Sequence, residues 1–312
     1  MSINVFLSEK LPKNKDKVIS IISFGKDVNY FNKILSTGTP ILNKKNLYEI
    51  WEVNDSVKYK NIDGLNISIS KNYIFGYTIF DKNGSYDELK LKISKEYLSF
   101  FKLVKDHKMR MVKIWHYLPQ LLKKQSNGKT NYSLLCEARE IVYKLYYDDI
   151  KFPAATVIGI EGSKILIYFL ASLCESYDAI ENERQVSAYN YPQGIFLEKP
   201  MFSRAIKFKS QGYMNKQIII SGTASIKGYK SMHEMEVVKQ LDESIKNYKT
   251  FIKLDENNSN ILRVYLSKSQ ACKYEDIVKI LNKTFSENKY TLMQGEICRE
   301  ELLVELEGIS NA

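Results

Sequence analysis

The pattern that most constrains the fold is a plan that runs twice. Short apolar runs of strand length alternate with longer segments of helical period, and each half of the chain carries two of the latter. In the first half, Val18–Ser23, Leu47–Val53, Leu65–Ser70 and Tyr73–Ile79 read as strands, because they are short, rich in β-branched and aromatic residues, and bounded by turn signals. Asp63-Gly64 and Asn83-Gly84 are such signals. A helix is predicted from Tyr86 to Lys105, with Leu89, Ile93, Leu98 and Phe101 on its apolar face. Met111–Leu118 is a strand that stops at Pro119, and Asn131 is placed to cap a helix running through Leu134, Leu135, Ala138, Ile141, Val142 and Leu145. In the second half, Ala154–Ile160 and Lys164–Leu173 are strands, Glu175–Pro200 is irregular, and Met201–Phe208 and Gln217–Ser221 are strands again. Helices follow at Glu234–Leu254 and Tyr274–Phe285 around the strand Ile261–Leu266, and Leu302–Leu306 is the last strand. Interleaving of this kind predicts an α+β chain of two similar units, residues 1–150 and 151–312, joined near residue 150 without a long linker.

Bulk composition narrows the function. A chain of 312 residues with 44% hydrophobic and 26% charged content is an ordinary globular protein. The net charge of +10 raises the question of polyanions. Of the 46 basic residues six are Arg and the remaining 40 are Lys, dispersed along the chain with no stacking or recognition motif beside them. Nucleic acid is therefore not an expected partner. No apolar run reaches membrane-spanning length. Cys136, Cys174, Cys272 and Cys298 have no metal-ligand spacing, so free thiols, a cytoplasmic location and no metal are expected.

Against that lysine background the arginines are informative. A guanidinium is a planar fork that grips a carboxylate with two hydrogen bonds, which an ammonium cannot do. The six are Arg110, Arg139, Arg184, Arg204, Arg263 and Arg299. Near the C-terminus, Leu302-Leu303-Val304-Glu305-Leu306-Glu307 sets carboxylates into an apolar run. Period two puts Leu302, Val304 and Leu306 on one face and Leu303, Glu305 and Glu307 on the other. A Glu so placed either faces solvent or sits in a pocket, where burial raises its pKa and makes it a proton donor. Periodicity does not choose between Glu305 and Glu307. The strand Ile218-Ile219-Ile220 ending in Ser221-Gly222-Thr223-Ala224-Ser225 supplies small residues and backbone N–H groups suited to an anion, or a turn in which Gly is needed for its backbone.

A series of segments, in order, resembles one family. They are Ile114-Trp115-His116-Tyr117-Leu118-Pro119; Asn131-Tyr132 with Glu137-Ala138-Arg139; Pro153–Gly159; Ala188-Tyr189-Asn190-Tyr191-Pro192; Phe202-Ser203-Arg204-Ala205; Ile220–Ile226; His233 with Gln240 and Glu243; and Ile297-Cys298-Arg299 with Leu303-Val304-Glu305. Together they resemble the chorismatases, chorismate-cleaving enzymes on a Rid/YjgF-like (chorismate-mutase-like) fold. The family usually has Asn where His116 stands and Gly-His where Gly228-Tyr229 stands.

The resemblance implies two fused Rid/YjgF-like α+β domains, the second carrying most of the active site, and a cofactor-free enzyme that releases pyruvate from chorismate. The ring product would be 3- or 4-hydroxybenzoate or a dihydroxycyclohexadiene carboxylate. It assigns the general acid to Glu305 and substrate binding to Tyr132, Arg139, Tyr189, Arg204, Gly222, Thr223, Ala224, Cys298 and Arg299, with Ser221–Ser225 beneath the ring. Tyr189 is preferred to Tyr191, which precedes a proline and so suits a turn; Glu307 is expected in solvent or at the strand end. Fusion of two units predicts a monomer. The rival readings are a Rid-type imine or enamine deaminase and a non-catalytic metabolite-binding module.

Overall fold

The computed structural model describes residues 3–44, 46–147, 151–192, 199–252, 261–286 and 289–311. Three sheets are built in chain order. The first contains β1 (Asn4–Ser8), β2 (Val18–Ser23), β3 (Val28–Phe31), β4 (Ile34–Thr37) and β5 (Tyr48–Glu52), in the order β1-β5-β2-β4-β3. The second contains β6 (Lys58–Ile62), β7 (Leu65–Ile69), β8 (Tyr73–Asp81), β9 (Arg110–Pro119), β10 (Ala154–Ile160) and β11 (Lys164–Ser172), in the order β10-β9-β11-β8-β7-β6. Helices α1 (Tyr86–Asp106) and α2 (Asn131–Tyr146) precede and follow β9.

The third sheet contains β12 (Cys174–Ile180), β13 (Ala205–Ser210), β14 (Gln217–Ala224), β17 (Ile261–Leu266), β18 (Tyr290–Gln294) and β19 (Val304–Asn311). Its order is β12-β13-β14-β19-β17-β18. Between β14 and β17 lie a small hairpin, β15 (Ile226–Lys227) and β16 (Lys230–Ser231), and helix α3 (Val237–Lys249); α4 (Tyr274–Thr284) follows β17.

The second and third sheets share one topology. In each, the sixth strand in sequence lies between the third and the fourth, the fourth and fifth pair in parallel, and a helix occupies each of the two same connections. The expected duplication of an α+β unit is therefore visible strand by strand. Its seam is not at residue 150, which lies outside the described residues. β10 pairs with β9 and β11 pairs with both β8 and β9, so residues 154–172 complete the sheet begun in the first half. The seam falls between Ser172 and Cys174, and the first 52 residues add a sheet of their own, with no helix among the described residues there.

Alternation along the strands sorts side chains into layers. In the second sheet Ile114, Leu118, Ile165, Ile167 and Phe169 pack against Ile93, Tyr97, Phe100, Leu135 and Val142 of α1 and α2. The opposite faces of all three sheets meet in one core, which includes Ile19, Ile22 and Trp51 from the first, Trp115, Tyr117 and Tyr168 from the second, and Ile219, Tyr265 and Ile309 from the third. Val304 and Leu306 of β19 pack under α3 and α4, so Glu305, Glu307 and Ile309 point into that shared core.

Local differences from the sequence reading have simple causes. Thr130, not Asn131, caps α2: its hydroxyl accepts from Ser133 N, while Asn131 Nδ2 donates to the carbonyls of Pro119 and Gln120. Cys174–Ile180 is a strand inside the stretch read as irregular; its half-exposed, mixed-polarity residues hide the alternation. Helix α3 ends at Lys249, and the expected terminus at Leu254 lies outside the described residues. Among the described residues no helix is long and apolar enough to cross a membrane.

Candidate active site

The edge strand β10 of the second sheet runs against β14 and β19 of the third. Ala155 N donates to Ser221 Oγ (2.9 Å) and Gly222 N donates to Thr156 Oγ1 (3.0 Å), tying the two sheets together. At this seam the β14–β19 register slips between Ile220 and Thr223. A bulge of this kind bends a strand and re-aims its side chains. Here it brings Gly222 beneath the Glu305 carboxyl, where a Cβ would overlap Glu305 Oε1. Gly222 is thus required for close approach.

The cavity over this bulge has a volume of about 280 Å³ and is lined mainly by apolar surface with a few polar groups, as small-molecule sites are. Glu305 lies at its base, 5% exposed, and among the described residues its carboxyl has no salt-bridge partner. Burial, reinforced by the neighbouring Glu307, pushes its pKa up to about 8, against the opposing pull of Lys113 and Arg204. It is therefore a neutral acid at pH 7. Cys298 lines the same cavity, and burial beside Glu305 pushes its thiol up to about 12, so it stays protonated.

Three of the six arginines line the cavity: Arg139, Arg204 and Arg299. Arg139 is buried, and among the described residues its Nε and Nη1 have no hydrogen-bond partner. Arg204 is also buried; Nη2 donates to Val186 O (3.1 Å) and Tyr191 Oη (2.8 Å), while Nε has no hydrogen-bond partner among the described residues. Arg299 Nη1 donates to Tyr229 O and Ser231 Oγ, both at 3.0 Å, which fixes its position beside the cavity. Buried guanidinium groups with unused donors call for an anionic ligand, since an uncompensated buried cation is costly.

Tyr132, Gly222 and Ala224 line the cavity with these residues, so eight of the sequence-predicted positions come together: Tyr132, Arg139, Arg204, Gly222, Ala224, Cys298, Arg299 and Glu305. Two do not. Thr223 points away and donates to Ser221 O (2.9 Å), because adjacent strand residues face opposite sides. For the same reason Ser221 and Ser225 are spent on Ser203 O and Met232 O rather than on the cavity. Tyr189 packs edge-on against Phe152 (centroids 5.5 Å apart), away from the cavity. Its place is taken by Tyr191, whose ring lies 5.9 Å from the Arg204 guanidinium and 5.4 Å from that of Arg299. Thr156, Phe202 and Leu302 also line the cavity without having been singled out. All three stand in or beside the quoted motifs, but choosing among motif neighbours needs the strand phase and the turn geometry. His116 stacks on Tyr97 and is held down to about 3 by burial and by Arg139. It is neutral: Nδ1–H donates to Thr156 O (2.8 Å) and Nε2 accepts from Tyr97 Oη.

Glu307 is the clearest departure. Far from meeting solvent, it is 1% exposed. Its Oε2 takes hydrogen bonds from Lys113 Nζ, Trp115 Nε1 (2.7 Å) and Thr156 Oγ1 (2.7 Å), and its Oε1 from Tyr265 Oη (2.5 Å) and Arg263 Nη1 (3.3 Å). Burial alone would raise its pKa; Lys113 and Arg263 overcome that and bring it down to about 2.

A neutral acid at the base of an apolar cavity rimmed by arginine forks defines a small-molecule enzyme of the α+β class. Known proteins show what the chain is similar to. Residues 49–171 match the model of the family described as "Chorismatase FkbO/Hyg5-like, N-terminal". A "3-hydroxybenzoate synthase" from Streptomyces hygroscopicus is 27% identical over 284 residues, covering 84% of this chain and 80% of that protein. A "Chorismatase" from Streptomyces rapamycinicus is 26% identical over 278 residues, covering 84% and 81%. A crystal structure of a chorismatase superposes with a TM-score of 0.83 at 22% identity, covering 99% of this chain and 98% of that one. The matched family model, both relatives and the superposed structure are thus chorismatases or a 3-hydroxybenzoate synthase, and the likeness in fold spans nearly the whole chain.

Proposed function

We propose that the protein cleaves the enolpyruvyl ether of chorismate, releasing pyruvate and a hydroxybenzoate or dihydroxycyclohexadiene carboxylate, with Glu305 as general acid. The observation that carries this reading is the protonated Glu305 carboxyl facing a cavity with two buried, incompletely paired arginines. Chorismate has two carboxylates, and Arg139 and Arg204 are the forks assigned to them, with Tyr191 and Arg299 completing the wall. Glu305 delivers its proton to the enol-ether methylene, which becomes a methyl group as the ether carbon becomes an oxocarbenium ion. Water, or a hydroxyl of the substrate, adds to that carbon; collapse of the resulting hemiketal or ketal expels pyruvate. The apolar lining limits competing solvent and strengthens the arginine–carboxylate attraction. Ala224 and Cys298 sit where they would shape the ring's surroundings. Neither the deaminase nor the binding-module reading calls for an acid held neutral beside two carboxylate forks.

The test is incubation with chorismate, pyruvate followed through a coupled reduced-nicotinamide assay, and the ring product identified by chromatography. Glu305→Gln should lose several orders of magnitude in kcat while retaining substrate binding. Absence of pyruvate above the spontaneous rate would overturn the activity, and near-normal turnover by Glu305→Gln would overturn the acid. The same proposal has the enzyme act as a cytoplasmic monomer, supported by four free thiols and by three sheets sharing one core within a single chain. Sedimentation at working concentration checks the monomer.

A further inference from the structure

Glu305 and Glu307 lie two residues apart on the same face of β19, which sets their backbone positions roughly 7 Å apart. What surrounds them differs completely. Glu307 is the hub of a network drawn from all three sheets: Lys113 and Trp115 of β9, Thr156 of β10, and Arg263 and Tyr265 of β17 contact it directly. Glu49 of β5 grips the other side of Arg263 with two hydrogen bonds, of 2.5 and 2.8 Å, and also accepts from Trp51 Nε1. Tyr117 and Tyr168 close the network through Arg263 Nη1. Tyr248 of α3 is the remaining titratable group near Glu307. The network contains two carboxylates, the Arg263 guanidinium and Lys113, whose ammonium pKa burial pulls down against the opposing pull of Glu307. Glu305 is outside it, facing Lys113, Arg204, Cys298 and the cavity.

We infer that Glu307 is a positioning residue for the reaction: its carboxylate, fixed in ionised form by Lys113 and Arg263 where the three sheets meet, is the charge that adds to burial in holding neighbouring Glu305 in its acid form. Without Glu307 burial would still favour the acid, but the remaining charges on Glu305, Lys113 and Arg204, favour a carboxylate and would lower the protonated share before substrate arrives. Thr156 completes the arrangement. Its hydroxyl donates to Glu307 and accepts from Gly222 N, so one side chain orients both the fixed anion and the floor beneath Glu305. A unit charge roughly 7 Å away, at an effective dielectric constant of about 20, moves a carboxyl by between about one and two pH units.

This inference rests on Glu305 being the acid, and the experiment separates the two. The pH dependence of kcat is measured for the wild type, Glu307→Gln and Lys113→Gln, with circular dichroism and a thermal melt to establish folding. Glu307→Gln should move the basic limb down by about one unit or more, and Lys113→Gln should move it up. A purely structural role lowers kcat without moving either limb. Infrared difference spectra of the wild type against Glu305→Gln follow the protonated-carboxyl stretch of Glu305 directly, without turnover. A Glu305 titration near the ordinary 4.5 in the wild type overturns the inference even if neither network variant folds, as does an unmoved limb in whichever variant does. Near-normal turnover by Glu305→Gln overturns the acid assignment instead.

Discussion

Glu305 gains and loses by the same burial. Its folded pKa is about 8 against an ordinary 4.5, so the folded state holds the proton more tightly than the unfolded chain. Stability from this group is therefore complete below pH 4.5 and declines as pH rises through 8. At pH 7 the cost is about 3 kcal/mol. Glu305→Gln should lose activity yet become progressively more stable than the wild type between pH 5 and pH 8, as thermal melts across that range will register. A constant difference in Tm would mean that Glu305 titrates normally. Wild-type kcat should fall above about pH 8 as the acid ionises. Gly222→Ala tests the close approach beneath the carboxyl: because the added methyl meets the mobile end of Glu305, kcat should drop by at least about tenfold with little change in Tm. At this scale the sequence put both Glu305 and Glu307 in an apolar run, and only the family resemblance singled out Glu305; that Glu307 is a buried anion was not legible. A buried anion is legible only through partners, and those of Glu307 are 42 to 194 residues away. Tyr189 and Tyr191 show the same limit, since the turn that aims one ring at Arg204 and the other at Phe152 is set by tertiary packing.

Helix α2 converts local spacing into site geometry. Tyr132 and Arg139 are seven residues apart, two helical turns, so both face the cavity. That periodicity was readable, as were all four helices and most interior strands, because long amphipathic runs announce themselves. The exposed strands were not. Val28–Phe31 and Lys58–Ile62 carry too few buried residues to alternate visibly, and Cys174–Ile180 is half exposed throughout. The apolar run before β19 misleads in another way: Leu302 and Leu303 precede the strand and do not continue its phase, Leu303 N instead donating to Gln240 Oε1. Arg139 is held at its helical position without an ionised partner among the described residues. Arg139→Met should therefore raise KM for chorismate by at least about a hundredfold while leaving Tm unchanged or higher, because a buried cation is exchanged for an apolar chain of similar reach. A fall in Tm with KM intact would assign Arg139 to structure instead.

At the scale of the whole chain, duplication was legible and its seam was not. Two helices per half marked two units, but β10 and β11 lie after the midpoint and hydrogen-bond back to β9 and β8, a pairing that local pattern does not encode. Nor did the sequence mark the first 52 residues as a separate sheet, since its strands resemble those that follow. What joins that sheet to the catalytic strand is electrostatic as well as apolar. Glu49 on β5 grips Arg263 on β17, and Arg263 reaches Glu307 on β19, so a continuous line of charge runs from the N-terminal sheet to within two residues of the acid. Glu49→Gln would leave Arg263 with a single carboxylate, Glu307, in a buried setting. Breaking one partner of a buried pair costs about 3–5 kcal/mol, and Tm should fall accordingly. The loss should be uneven: amide exchange should accelerate most in β1, β2 and β5, where the first sheet meets the shared core, and least under α1 and α2, whose core is separate. Arg263 stands between Glu49 and Glu307, so the basic limb of the pH–rate profile should shift less than in Glu307→Gln. Exchange mapped by mass spectrometry, with kcat followed over pH on the same variant, distinguishes a sheet that merely docks from one whose charge reaches the active site.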